Sequence, residues 1–305
     1  MKIRNIIVCL GTALMLSSCS WFEDTSTPEG YVKHCIRLMD KQALYAEGEA
    51  WETMKQQTLE QASQITTIEE AHALIKEALK VSGGKHSTLI APETRKSESF
   101  KEKAPETIVL DENILLVELP PHTMTSIVSD SLYTFTVFNF LKAHQDAKGV
   151  IIDLRDNSGG NMYPMLAAVS PLIPDGIFIR FKGRKSNQPI SLEYVEKSEG
   201  VRSYKFKMPD TLPIALLTNE WTASSGEATL LAFRGLKNAR TFGSSTAGYA
   251  SANIPFQLSD GYTMVLTISQ DVARTGEVFC DDPIAPDVVT KTPLEDAINW
   301  INEQS

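Results

Sequence analysis

Residues 222–227, which read TASSGE, combine a potential nucleophile with the start of a helix. They follow an apolar run at residues 212–218 and precede a helical pattern at residues 228–237, so Ser224 falls at a strand-to-helix turn. The first amide groups of a helix lack intrahelical acceptors and lie at its positive end. An oxyanion formed by attack of Ser224 would be stabilised there. The alternative is that Ser224 only caps the helix.

A nucleophilic serine needs a proton acceptor, and the order of residues along the chain restricts the choice. All five histidines precede Ser224, and position 222 is Thr. An α/β-hydrolase would carry Gly-x-Ser-x-Gly and a histidine after the serine, so that class is excluded. A histidine-first arrangement remains, because such sites are defined by geometry rather than order. His86 is the candidate because it follows a helix stop, Gly83-Gly84, and precedes an extended apolar segment. The alternative is that His86 is an ordinary surface or packing residue.

Four segments resemble, in order, the motifs of the tail-specific, or C-terminal-processing, serine peptidase family. They are VIIDLRDNSGG at residues 150–160, LTNEWTASSGE at 217–227, GSSTAG at 243–248 and IAPDV at 284–288. The resemblance implies an α/β fold with a crotonase-like (ClpP/crotonase) core. It also implies that Ser224 is the nucleophile and that the oxyanion hole consists of the Ser225 amide and the amide of Gly159 or Gly160.

Two departures from the family pattern narrow the resemblance. The position of the lysine general base of the bacterial processing proteases is Tyr249 here, and a phenol with a pKa near 10 is a poor proton acceptor at neutral pH. The family's PDZ domain would have to fit within residues 94–106, which are too few to hold one. The chain is therefore more similar to the histidine-dependent branch, which includes the tricorn core and the nisin-resistance protein.

That branch places its base in a loop after an early helix, and His86 occupies the corresponding place. Imidazole suits the role because it is mostly neutral near pH 7. The tricorn branch also has an acid near the last motif, where this chain has Asp281 and Asp282. These two residues either orient His86 or are surface turn residues.

The N-terminus has the pattern of an export signal at residues 1–18. Lys2 and Arg4 precede an apolar run that is too short to span a bilayer. The following Leu-Ser-Ser-Cys resembles a bacterial lipobox, which would make Cys19 the lipid-bearing residue and residues 19–30 a tether. The alternative is an ordinary signal peptide with a chance cysteine. Because Ser20 follows the cysteine, we expect a lipid anchor in the cell envelope at the outer membrane.

The remaining pattern predicts two structural parts. Residues 31–92 read as a helical subdomain that ends in the His86 loop, and residues 93–106 read as a linker. Residues 107–305 alternate strands and helices, which is typical of a largely parallel sheet, and form the predicted peptidase core. Residues 251–258 and 262–269 predict a C-terminal β-hairpin.

Composition excludes several function classes. The chain of 305 residues has a net charge of −9, which argues against a nucleic-acid surface. Neither metal-ligand spacing nor a phosphate-binding loop is present in the sequence, so we expect no metal and no cofactor. The predicted function is a serine endopeptidase acting on peptides or unfolded protein segments. The alternatives are a catalytically silent member that binds a peptide or an apolar ligand, and an esterase.

Overall fold

The computed structural model describes residues 24–92, 103–123, 126–199 and 206–304. The predicted signal peptide, Cys19, the first part of the tether and most of the linker lie outside these ranges. Within them, none of the helices combines the length and the apolar character needed to cross a membrane.

The chain alternates helices and strands over its second half, as the sequence predicts. The helices are α1 (Pro28–Gln42), α2 (Gly48–Ala62), α3 (Ile68–Gly83), α4 (Ile127–Ala143), α5 (Met162–Ala168), α6 (Leu192–Glu199), α7 (Ser225–Leu231) and α8 (Pro293–Glu303). The strands are β1 (Thr88–Ile90), β2 (Glu106–Leu110), β3 (Ile114–Glu118), β4 (Gly149–Asp153), β5 (Ile177–Gly183), β6 (Asn187–Ser191), β7 (Ile214–Thr218), β8 (Ala239–Gly243), β9 (Ser251–Gln257), β10 (Thr263–Ala273), β11 (Val278–Phe279) and β12 (Val288–Val289).

The first sheet has the order β12-β8-β7-β4-β3-β2 and is parallel except at β2. Every residue of β4 and β7 is buried, as expected for parallel strands covered on both faces. Side chains of α4, α5 and α7 pack on one face, and those of α8 pack on the other. The predicted α/β core is therefore confirmed, and Ser224 lies at the carboxyl end of β7.

The second sheet is antiparallel and is built around β10. This strand pairs with β1, β5, β9 and β11, and β6 extends the sheet beyond β5. The β9–β10 pair confirms the predicted hairpin, although β10 runs to Ala273, four residues beyond the predicted end. The sheet therefore brings β5, β9 and β10 together.

The first three helices pack against this second sheet rather than standing apart from it. A buried cluster joins Trp51 and Leu79 of the helices to Met264 and Leu266 of β10. A capping box, in which Thr67 and Glu70 bond reciprocally, starts α3. Because β1 pairs with β10 a few residues after α3 ends, the segment carrying His86 is fixed at both ends.

Candidate active site

Ser224 has an unusual backbone conformation for a residue at a helix start. Its φ is 52° and its ψ is −115°, whereas an ordinary N-cap residue is extended. A residue other than glycine in such a conformation is strained by about 1–3 kcal/mol and is characteristic of functional turns. The Ser224 amide donates to Oε2 of Glu227 at 2.9 Å, and this bond holds the turn. The conformation is therefore not that of a simple helix cap.

Glu227 connects the serine turn to the loop before β9. The side chain is fully buried and also accepts hydrogen bonds from the amides of Gly248 at 2.9 Å and Tyr249 at 2.7 Å, and from the Thr246 hydroxyl. Burial raises the pKa of the Glu227 carboxyl, and these hydrogen bonds act in the opposite direction. Sequence reasoning gave Glu227 no role, although a glutamate three residues after a helix-start serine is a recognisable signal.

The Gly159–Gly160 turn packs directly against Ser224. Gly159 has a φ of 104°, and a Cβ there would lie 2.8 Å from Cβ of Ser224. Gly160 has a φ of 116°, and a Cβ there would overlap the carbonyl oxygen of His122. Both positions therefore require glycine, for conformation and for space.

The two glycine amides differ in their hydrogen bonding. The Gly159 amide donates to Oδ1 of Asn157 at 2.9 Å, whereas no described residue accepts from the Gly160 amide. The Gly160 carbonyl accepts from the Ser225 hydroxyl at 2.6 Å, which ties the glycine turn to α7. The turn thus offers the Gly160 amide, rather than that of Gly159, for a further hydrogen bond.

His122 supports the glycine turn, a role that sequence reasoning missed. Its amide donates to the Gly159 carbonyl at 3.0 Å, and its carbonyl accepts from the Asn161 amide at 2.7 Å. The buried ring pairs through Nε2 with Asp130 at 2.6 Å. No local pattern marks this role, because residue 122 meets residue 160 only through the fold.

Ser224, Ser225 and Gly160 line one cleft of about 380 Å³. Its remaining walls come from α5 and its N-terminal side, from α7, and from β5, β9 and β10 of the second sheet; they are Asn161, Met162, Tyr163, Phe181, Ala228, Ser251, Ala252, Asn253 and Asp271. The structure therefore brings three of the predicted site residues to a single cleft that involves both sheets.

His86 reaches this cleft through Ser251. Its Nδ1 lies 2.7 Å from Oγ of Ser251, and its ring meets the edge of the Tyr249 ring at a centroid distance of 5.1 Å. Burial, followed by the charge of Lys85, lowers the pKa of His86 to about 4. In the part of the chain that the structure describes, no hydrogen bond joins His86 directly to Ser224. Ser251, like Glu227 and His122, is a contributor that the sequence did not single out.

Asp281 and Asp282 are not bonded to His86 among the described residues. Oδ2 of Asp281 accepts from the Tyr45 hydroxyl at 3.1 Å, and Asp282 is exposed. The position beside Nδ1 of His86, where an orienting acid would lie, is taken by Ser251. In the described ranges, moreover, no group of three or more His, Cys, Asp or Glu side chains is arranged to hold a metal ion.

The strained serine and the glycine turn with an available amide share their cleft with Ser251, which bonds to the buried ring of His86. This combination is typical of serine peptidases and related hydrolases. Comparison with known proteins gives the family. Residues 123–290 match the model of peptidase family S41. The nisin-resistance protein of Lactococcus lactis subsp. lactis is 33% identical over 282 residues, which cover 91% of this chain and 88% of that protein. The chain belongs to peptidase family S41 and is a serine peptidase.

Solved structures agree with this assignment. A lipoprotein from Streptococcus agalactiae superposes with a TM-score of 0.83 and 31% identity, covering 92% of this chain and 97% of the other. The photosystem II D1 C-terminal processing protease has a TM-score of 0.60 and 12% identity, covering 90% and 97%, and therefore shows a shared fold. The predicted resemblance to the C-terminal-processing peptidases is confirmed at the level of family and fold.

Proposed function

We propose that the protein is an envelope-anchored serine endopeptidase in which Ser224 is the nucleophile and His86 the general base. The observation that supports this most strongly is the shared cleft, in which Ser224, Ser225 and Gly160 meet Ser251, the hydrogen-bond partner of His86. The substrates are peptides or unfolded protein segments. Because a relative at 33% identity is a nisin-resistance protein, nisin is the first peptide to test.

The proposed reaction is acyl transfer through a covalent intermediate. His86 donates Nδ1–H to Ser251, which leaves Nε2 free to accept the Ser224 proton as the hydroxyl attacks a peptide carbonyl. The Ser225 and Gly160 amides stabilise the oxyanion, since the Gly159 amide is already engaged by Asn157. His86 then protonates the leaving amine, and water hydrolyses the acyl-enzyme by the same route.

A serine-directed fluorophosphonate probe combined with a peptide-cleavage assay tests the nucleophile. We expect the wild-type protein to be labelled and to cleave, and Ser224→Ala to lose both properties. Absence of labelling in the wild type, or equal labelling of Ser224→Ala, would contradict the proposal. If the wild-type protein is not labelled but still binds peptides, the catalytically silent alternative is favoured. If it hydrolyses esters faster than peptides, the esterase alternative is favoured.

Two further variants test the base. We expect His86→Ala to lower kcat by at least about a hundredfold, the scale of general-base catalysis, and Tyr249→Phe to retain most activity. Tyr249 contacts the His86 ring, so it is a demanding control for disturbed packing. Loss of activity in Tyr249→Phe with little effect of His86→Ala would show that the base is assigned wrongly.

The anchor is proposed to be a lipid on Cys19 at the outer membrane, where Ser20 follows the cysteine. The description of the structurally similar Streptococcus agalactiae protein as a lipoprotein supports an envelope location. We expect the wild-type protein in the membrane fraction and Cys19→Ser in the soluble fraction after cell lysis. Density separation of the two membranes tests the outer-membrane assignment, and co-migration with the inner membrane would contradict it.

A further inference from the structure

Asp271 of β10 is an acid at the cleft wall that the proposed reaction does not use. Its side chain is 2% exposed, and its Oδ1 atom has no hydrogen-bond partner among the described residues. It lies opposite Phe181 of β5 in the antiparallel register, and both residues line the cleft that contains Ser224. Asp271 therefore contributes a buried acid to the wall of the cleft that would receive the substrate.

The surroundings of Asp271 disfavour its negative charge. Burial and the neighbouring Glu227 carboxyl raise the pKa of Asp271 well above its usual range, and no described cation opposes this shift. A buried acid without a partner destabilises the fold, whether it is ionised or leaves a hydrogen-bonding atom unsatisfied. Such an acid in a cleft is a candidate for ligand recognition, since a bound cation would supply the missing partner.

The walls around Asp271 fit a long side chain with a charged end. Met162, Phe181 and Ala228 provide apolar surface in the cleft that Ser224 and Asp271 also line. The aliphatic stem of a lysine or arginine packs well on apolar walls while its charged head reaches a carboxylate. The overall net charge of −9 would also attract a cationic peptide.

We propose that Asp271 selects substrates that carry a lysine or arginine immediately before the scissile bond. This inference rests on the proposed peptidase function of Ser224 and adds a substrate class to it. The substrate cation pairs with the Asp271 carboxylate, the carboxyl proton leaves to solvent, and the side chain thereby fixes the scissile carbonyl next to Ser224. Asp271 is thus a specificity-determining residue and takes no part in bond breaking.

A peptide series that differs only at this position tests the proposal. Lysine is compared with norleucine, which keeps the aliphatic stem and removes the charge, and with glutamate. In the wild-type protein we expect kcat/KM for the lysine peptide to exceed that for the norleucine peptide by at least about tenfold, the scale of a single well-placed contact. The glutamate peptide should be the poorest substrate, because like charges repel in a buried site.

Asp271→Asn then assigns the preference to this residue. It should lower kcat/KM for the lysine peptide at least about tenfold more than for the norleucine peptide. The matched control is Asp146→Asn, which removes an exposed carboxylate that does not line the cleft and should leave both values unchanged. Labelling of Ser224 by the fluorophosphonate probe checks that each variant is folded.

The outcomes separate this inference from the proposed function. If no peptide is cleaved and Ser224 is not labelled, both fall together. If peptides are cleaved in a Ser224-dependent way but lysine and norleucine are equal in the wild type, only the role of Asp271 is overturned. That comparison needs no variant, so it stands even if Asp271→Asn does not fold. An equal loss for both peptides in Asp271→Asn would indicate a structural role and would also overturn the inference.

Discussion

The proposed base, His86, is adapted to stay neutral rather than to bind protons strongly. Burial disfavours the imidazolium, and the neighbouring Lys85 charge adds to this effect, so the pKa of His86 falls to about 4. The ring becomes protonated, and so unable to act as a base, only below that pH. We therefore expect the acidic limb of the kcat/KM profile near pH 4, well below the pKa of about 6.5 of an unperturbed histidine.

Lys85→Met supplies the control for this prediction. Removing the positive charge should move the acidic limb to higher pH. The limb should stay below the pKa of about 6.5 of an unperturbed histidine, because burial is the larger cause of the lowered pKa. An acidic limb between pH 6 and 7 in the wild-type protein would show that His86 is not the group that must be neutral. Profiles of kcat/KM report the free enzyme, which is the state described by the structure.

At the scale of single residues, sequence reasoning singles out the groups that have distinctive local signals. Ser224 is marked by its strand-to-helix position, and Gly159 and Gly160 by a glycine pair after a buried strand. Ser251 and Asp271 carry no such signal, because a serine and an aspartate within strands are common. The roles proposed for them depend on pairing across the second sheet, which joins residues that are far apart in the chain.

At the scale of elements, Glu227 ties the start of α7, where Ser224 lies, to the loop before β9. Its carboxylate takes part in four hydrogen bonds and is the acceptor in every one of them. Glu227→Gln would place an amide NH₂ where only acceptors fit, leaving buried donors unsatisfied at about 1–3 kcal/mol. We expect a lower free energy of unfolding in denaturant titration, together with loss of Ser224 labelling. The exposed Glu69→Gln on α3 is the control and should change neither.

Unchanged labelling and stability in Glu227→Gln would mean that the serine turn is held by other contacts.

The serine turn illustrates why helices and strands are easier to predict than the junctions between them. β4 and β7 were predictable from apolar runs, and α3 from its capping box and apolar stripe. The positive φ of Ser224 was not predictable, since it depends on a carboxylate that also binds a loop about twenty residues further on.

At the scale of the whole molecule, β10 links the helical layer to the cleft. Leu266 packs among the helices, while Asp271 of the same strand lies in the cleft wall. The sequence predicts a helical subdomain at residues 31–92 that ends in the His86 loop. In the structure β1, which lies inside that range, pairs with β10, and His86 bonds to Ser251 of β9 in the C-terminal half. Local patterns indicate the helices but not the surface that they cover.

Leu266→Ala tests this coupling. The side chain is fully buried between the helical layer and the second sheet, so its truncation should lower the free energy of unfolding by about 2–5 kcal/mol. Because the helices and the sheet share this core, we expect far-UV circular dichroism and Trp51 fluorescence, which reports on the helical layer, to change in a single coincident transition. Trp21, Trp221 and Trp300 replaced by Phe in both proteins would isolate the Trp51 signal. Separate transitions, with Trp51 exposed before the rest of the chain unfolds, would show that the helices form an independent unit and that the position of His86 does not depend on β10.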